Sequence, residues 1–383
     1  MNRARRHFIQ QGAATAAALA YSAASGAASG APMRLLILLE LRGGNDGINT
    51  VVPIEDGRYF DLRPRIALRD DSVVAFDRSL ALHRSLAPLR PLWDAREMAV
   101  IEGVGYPQPN LSHFRSIEIW DTASASNEVL QQGWLARAAR AEAFARFAAD
   151  GVVIGAADLG PLAGGARAIS LSDPERFARQ ARLAKDGETG ARGALAHVLQ
   201  VESDVVHAAM QLRPDVKFQT EFPRSPFGAA VQHAAAIAST HKVPVIRVTL
   251  AGFDTHQNQV NMHAQLLHQV GEGVVALRAA LQEIGLWDDT LVLTYSEFGR
   301  RPRENASAGT DHGTAGAMLA FGQRVNAGRF GASPALARLD ANGNLPFAID
   351  FRSVYATVLD TWFGLDSERV LGHRFTPVPL LKT

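Results

Sequence analysis

Met33-Arg34-Leu35-Leu36-Ile37-Leu38-Leu39-Glu40 is a nearly continuous apolar run, and it ends at Arg42-Gly43-Gly44-Asn45-Asp46-Gly47, a turn-rich loop. A run apolar at consecutive positions, rather than at alternate ones, suits a strand covered on both faces, as in a parallel sheet. Residues 98–104 repeat the pattern and lead into another Gly/Pro loop, and 151–156 and 166–171 are shorter strand candidates. Residues 243–250 (VPVIRVTL), 291–295 and 316–321 read as further strands. Between them Leu266, Leu267, Val270, Val274, Leu277, Leu281 and Ile284 recur at three and four, the spacing of one helix face. Residues 352–363 close the chain as a short amphipathic helix. Strands alternating with helices predict a mostly parallel central sheet with helices on both faces, a three-layer α/β/α sandwich.

Composition agrees with one large α/β domain. Of 383 residues, 47% are apolar and 20% charged, enough to bury a sizeable core and too apolar for general disorder. The formal charge is +1, so there is no basic excess to neutralise a phosphate backbone, and nucleic acid is not an expected partner. The absence of cysteine excludes disulfides, thiolate metal sites and a Cys nucleophile.

The first 31 residues read as an export signal. Arg3, Arg5 and Arg6 stand without any acid, a mildly apolar Ala-rich stretch follows, and small residues offer cleavage after Ala28 or Ala31. Arg5-Arg6-His7-Phe8-Ile9 resembles a twin-arginine signal, an ordinary secretory signal being the alternative. The stretch is too short and too weak for a permanent membrane anchor. The expectation is transfer by the twin-arginine translocase to a periplasmic or secreted location. Loss of the three arginines would move the charge of the mature chain from +1 to −2. Residues 32–383 would then form one domain, with an Ala- and Arg-rich helical insertion around 173–240 and further helix at 133–149.

In open α/β sheets, sites form at the carboxyl ends of strands. The first strand delivers Asn45 and Asp46 there, and the second leads into Asn110, Ser112 and His113. The run 243–250 delivers Asp254 and His256, with His263 on the helix beyond, and 291–295 delivers Ser296 and Glu297, followed by a loop carrying Asp311 and His312. Carboxylates and imidazoles without thiolate are the ligand set of a Zn, Mn or Mg centre, holding one or two divalent ions. Ser112 stands where a helix begins and where N–H groups favour an oxyanion, and Arg115 follows within one turn. Each residue also has a plain structural use. Asp46 suits an Asx turn, Ser112 an N-cap, Asp254 and Thr255 caps of the next helix, His263 a core position, Glu297 an ion pair with Arg300 or Arg301, and Asp311-His312-Gly313 a turn.

Taken together, Leu41-Arg42-Gly43-Gly44-Asn45-Asp46-Gly47, Asn110-Leu111-Ser112-His113-Phe114-Arg115-Ser116, Gly252-Phe253-Asp254-Thr255-His256, Ser296-Glu297-Phe298-Gly299-Arg300 and Thr310-Asp311-His312-Gly313 resemble the domain of unknown function 1501 family over nearly the whole chain. That family is grouped with the alkaline phosphatase and sulfatase superfamily. The resemblance implies an alkaline phosphatase-like sandwich, Asp46 as first-strand metal ligand, Ser112 at the nucleophile position, and Asp254, His256, Glu297 and His312 as further ligands. Asn45, His263, Asp311 and Arg300 would support them, and His113 and Arg115 would serve substrate or proton transfer. Departures touch the second metal most: Asp254 and His256 are two apart instead of four, and Glu297 lacks a following His. Ser172-Asp173-Pro174-Glu175-Arg176 is the one run near a formylglycine pattern, far from Ser112 and with Glu after Pro, so it reads as a helix start. Neither His-Glu-x-x-His nor Gly-x-Ser-x-Gly occurs. The expected function is an exported metal-dependent hydrolase or transferase of phospho- or sulfo-esters, using a metal-bound Ser112 as nucleophile and acting on a small anionic ester or an envelope glycan. The alternative is a catalytically degenerate binding or assembly protein of the cell envelope.

Overall fold

The computed structural model describes residues 33–171 and 216–382. The export signal, the run 172–176 and most of the segment 173–240 lie outside the described residues. The apolar run that opens the fold forms β1 (Leu35–Arg42), buried at every position but the last. The other strands are β2 (Val73–Ala75), β3 (Ala81–His83), β4 (Met98–Gly105), β5 (Gly151–Ile154), β6 (Ala168–Leu171), β7 (Val245–Ala251), β8 (Thr290–Tyr295), β9 (Arg300–Glu304), β10 (Thr310–His312), β11 (Gly316–Phe321), β12 (Gly328–Gly331) and β13 (Ile349–Asp350). The helices that matter for the site are α1 (His113–Thr122), α2 (Pro226–Ala238), α3 (Gln259–Glu283) and α4 (Phe351–Thr357).

Nine strands form the central sheet in the order β12-β4-β11-β8-β1-β7-β5-β6, with β13 added against β4. β1 lies parallel between β7 and β8, pairing Leu36 with both Val245 and Leu291. Among the described strands of this sheet only β11 runs antiparallel, against β4 and β8. Leu36 and Leu38 join one core cluster with Trp120 of α1 and Phe351 and Tyr355 of α4. Leu35, Ile37 and Leu39, on the opposite face of the same strand, are equally buried. There α2 packs on β7, and α3 packs on α2. The sheet is therefore covered on both sides, the expected three-layer α/β/α sandwich. Among the described residues no helix is long and apolar enough to cross a membrane.

The carboxyl ends of β1, β4, β7 and β8 open on one edge of the sheet. Because β11 is antiparallel, its first residues sit at that same edge, and His312, four residues earlier, arrives there too. The β9–β10 ribbon that carries His312 lies where the sequence predicts a loop: Arg-Arg-Pro-Arg-Glu has no apolar alternation to mark a strand. The expected helical stretch 133–149 resolves into two short helices, Trp134–Ala138 and Glu142–Ala145.

Candidate metal centre

The loop after β1 reaches its neighbours through two glycines in left-handed backbone, Gly43 (φ 121°) and Gly44 (φ 80°). A Cβ on Gly43 would stand 2.4 Å from the Asp254 nitrogen, and one on Gly44 would stand 2.4 Å from the Phe298 ring. Only glycine combines that backbone with that approach. The loop after β7, with Asp254 and His256, is thus brought directly against the loop after β1.

Three residues place ligand atoms within 4.8 Å of one another: His113, Asp254 and His312. Asp254 is the hub. Its Oδ1 is 2.9 Å from His256 Nε2 and 3.2 Å from His312 Nε2, and its Oδ2 is 3.4 Å from His113 Nε2. The Nε2 atoms of His256 and His312 are 3.0 Å apart. The far nitrogens of two of the rings are tied down. His113 Nδ1 donates to Glu297 Oε1 at 2.7 Å, and His312 Nδ1 to the Leu111 carbonyl at 2.8 Å. With Nδ1–H assigned by these acceptors, each ring turns an Nε2 lone pair toward Asp254. His113 Nε2 is buried and has no hydrogen-bond partner. Carboxylate behind imidazole, with the other nitrogen free, is the arrangement that orients a histidine toward a metal. Phe298 packs its ring on His113 and His312, at centroid distances of 4.9 and 4.5 Å.

The electrostatics follow from these contacts. The hydrogen bond to Glu297 pulls His113 above its usual value, against the opposite pull of burial. Burial lowers His312. Burial alone would raise Asp254, but Arg300 and His312 outweigh it and hold the carboxyl at about 2. The Arg300 guanidinium is fully buried and touches Asp254 Oδ1 at 2.6 Å. It also donates to the carbonyls of Gly43, Gly44, Phe253 and Thr310, so its N–H groups are committed to protein acceptors.

Of the residues named from sequence, His113, Asp254, His256 and His312 are brought together, and Arg300 and Glu297 touch them. Glu297 faces His113 and the Gly43 amide instead of the arginines weighed as its partners. Asp311 is exposed at the rim, 3.8 Å from His256 Nδ1. Ser112 is exposed at the start of α1 with no side-chain cap bond. It lies between Leu111 and His113, both of which serve the cluster.

Asp46 is not brought to the cluster. It caps the short helix Gly47–Thr50, and its Oδ2 accepts from Arg63 at 2.6 Å and from Gln259 at 2.5 Å. Both members of the Asp46–Arg63 pair are fully buried. Burial alone would raise the Asp46 carboxyl, but the charge of Arg63 outweighs it and lowers it. Arg115 also turns away, toward the carbonyls of Ala125, Ser126 and Glu128, so it is not placed to hold an anionic oxygen at the centre. His263 is a core residue, its Nε2 bonded to Asn45 Oδ1 at 2.9 Å and its pKa pushed down to about 3 by burial. Sequence reasoning missed Arg63 and Gln259. Gln259 opens a helix and Arg63 precedes a proline, so neither carried a mark of burial.

A family model described as "Protein of unknown function (DUF1501)" matches residues 99–374. No curated protein matches. Among solved structures the chain is similar to a phosphonate monoester hydrolase from Silicibacter pomeroyi, at 10% identity and a TM-score of 0.42, covering 90% of this chain and 78% of that one. It is similar to the PsFucS1 sulfatase from Pseudoalteromonas sp. at 12% identity and a TM-score of 0.39, covering 93% and 73%. An alkaline phosphatase from the Antarctic bacterium TAB5 matches at 11% identity and a TM-score of 0.31, covering 76% and 92%.

Proposed function

The chain belongs to the DUF1501 family, and from the geometry around Asp254 we propose that it is a metal-dependent hydrolase or transferase of phospho- or sulfo-esters with a single metal centre. The observation that carries this reading is the convergence of His113, Asp254 and His312 within 4.8 Å, each imidazole held from behind by an acceptor. The residues fit a metal: a buried Nε2 on His113 lacks any partner, and His256 adds a fourth donor beside Asp254. A set of imidazoles with one carboxylate suits Zn, and then Mn, better than Mg, which prefers oxygen. Such an ion, when bound, supplies Lewis acidity toward the oxygens of an anionic ester. One ion fits better than two, because Asp46 is already neutralised by Arg63.

Ser112 is the nucleophile in this reading. Its hydroxyl is exposed and free of capping duty, at the head of a ten-residue helix whose N–H groups favour developing negative charge. Its Oγ would attack phosphorus or sulfur as its proton passes to the departing ester oxygen, which leaves as the alcohol, and water would later break the bond to Oγ, releasing the acid and returning a proton to Ser112. The substrate is an anionic ester or envelope glycan met after export by the twin-arginine translocase.

The test is elemental analysis of protein exported through its own signal, beside an Asp254→Ala/His256→Ala variant. About one Zn or Mn per chain, lost in the variant, supports the centre. No metal in either protein overturns it. A second reading, a binding or assembly protein on a degenerate scaffold, is favoured by one observation: the carboxylates after β1 and β7 are each paired with a buried arginine, Arg63 and Arg300. It predicts structural metal or none, and no hydrolysis of any phospho- or sulfo-ester.

A further inference from the structure

Gln259 is fully buried at the first position of α3. Its Nε2 donates to Asp46 Oδ2 at 2.5 Å. Its Oε1 accepts from Thr255 Oγ1 at 3.1 Å and from Thr310 Oγ1 at 2.7 Å. Asp46 accepts only, so the Gln259 amide has one orientation: nitrogen toward Asp46, oxygen toward the two hydroxyls. Asp46 is itself clamped by Arg63, which also donates to Asn49 Oδ1 and to the carbonyls of Arg301 and Pro302. Thr255 stands between Asp254 and His256, and Thr310 stands two residues before His312. The two loops also meet through the Thr310 amide and the Thr255 carbonyl at 3.3 Å.

We propose that Asp46 and Gln259 are a positioning pair that sets the spacing between Asp254–His256 and His312, so that Asp46 acts on the metal centre through Gln259 and not as a ligand. The amide bonds side chains from the loop after β1, the loop after β7 and the β9–β10 ribbon at once. Removing it would loosen the register of the ribbon against the loop after β7, although backbone bonds such as Gln259 N–H to the Ala308 carbonyl and the Arg300 contacts still join the two. Ligand atoms about 3 Å apart tolerate little such movement, since a metal site demands its donors within a few tenths of an ångström. This inference rests on the metal-centre reading above.

The test titrates Zn2+, against a competing chelator, into the full chain and its variants. Gln259→Met keeps the side-chain length and deletes all three bonds. The expected result is Zn affinity weakened by about 10- to 100-fold, the range seen when a metal's supporting hydrogen bonds are cut. Thr255→Val/Thr310→Val should give a loss in the same direction and carries the test should Gln259→Met fail to fold. Unchanged affinity in Gln259→Met or in the double threonine variant overturns the proposal. A wild-type chain that binds no Zn overturns the metal reading itself, an outcome distinct from these.

Discussion

Glu297 Oε1 lies 2.7 Å from His113 Nδ1, while the opposite nitrogen of the same ring faces Asp254 at 3.4 Å. The carboxylate is almost fully buried, and it also accepts the Gly43 amide. It therefore fixes the tautomer and tilt of His113 and adds negative charge behind the ring, both of which favour a cation at Nε2. Glu297→Gln keeps the volume and removes the charge. Zn affinity should fall by about tenfold or more, measured by chelator competition, with the unfolding midpoint changed much less. Equal affinity would mean that His113 does not depend on Glu297.

Ser112 makes a sharper prediction, because its hydroxyl caps nothing in the fold. Ser112→Ala should leave metal content and stability unchanged, stability within about 0.5 kcal/mol as for other exposed positions. Any ester turnover found for the wild type should be abolished. Retained turnover in that variant would exclude Ser112 as nucleophile and leave water as the attacking group.

Much of this was legible in the sequence, for identifiable reasons. The run Leu35–Arg42 is apolar enough only for a strand covered on both faces, and carboxyl-end placement then sends Asp254, His256, His113 and His312 to one edge. Side-chain direction was not legible. Asp46 sits in the right loop, yet its carboxylate follows the N-cap geometry of the turn beneath it and meets Arg63, seventeen residues on. Arg115 is within one turn of His113, but α1 rotates it toward the loop 125–128. In both cases the deciding partner comes from a segment with no apolar pattern, so spacing alone carries no information about it. The β9–β10 ribbon was hidden likewise: its strands are held by pairing and by Arg300, not by an alternating apolar face.

Arg300 is fully buried and joins three loops at once, reaching four backbone carbonyls besides Asp254. Arg300→Met takes the guanidinium from the half-exposed Asp254 carboxylate and leaves those carbonyls without its donors. The expected loss of stability is about 2–4 kcal/mol by urea unfolding, from the orphaned buried carbonyls. Arg300→Lys keeps the charge but not the planar fork, and should recover less than half of it. A loss under about 1 kcal/mol in the methionine variant, below the usual cost of orphaning one buried polar group, would show that the loops hold their places without the guanidinium.

Away from the centre, Asp121 near the end of α1 is buried with an unpartnered Oδ1, and burial raises its pKa to about 8 in spite of the nearby Arg247. In the unfolded chain an aspartate releases its proton near pH ~4. Between about pH 4 and pH 8 the folded state therefore holds a proton that the unfolded state has lost, so this group makes stability fall as pH rises through that window. Above about pH 8 both states are ionised and its contribution levels off. Asp121→Asn cannot ionise and should remove this slope, leaving the variant more stable than the wild type at about pH 8 and nearer to it at about pH 5. Urea unfolding of both proteins at the two pH values checks the sign. If the difference between them does not grow toward the higher pH, Asp121 is ionised in the native state and Arg247 offsets its charge against the repulsion of Glu40 and Asp158.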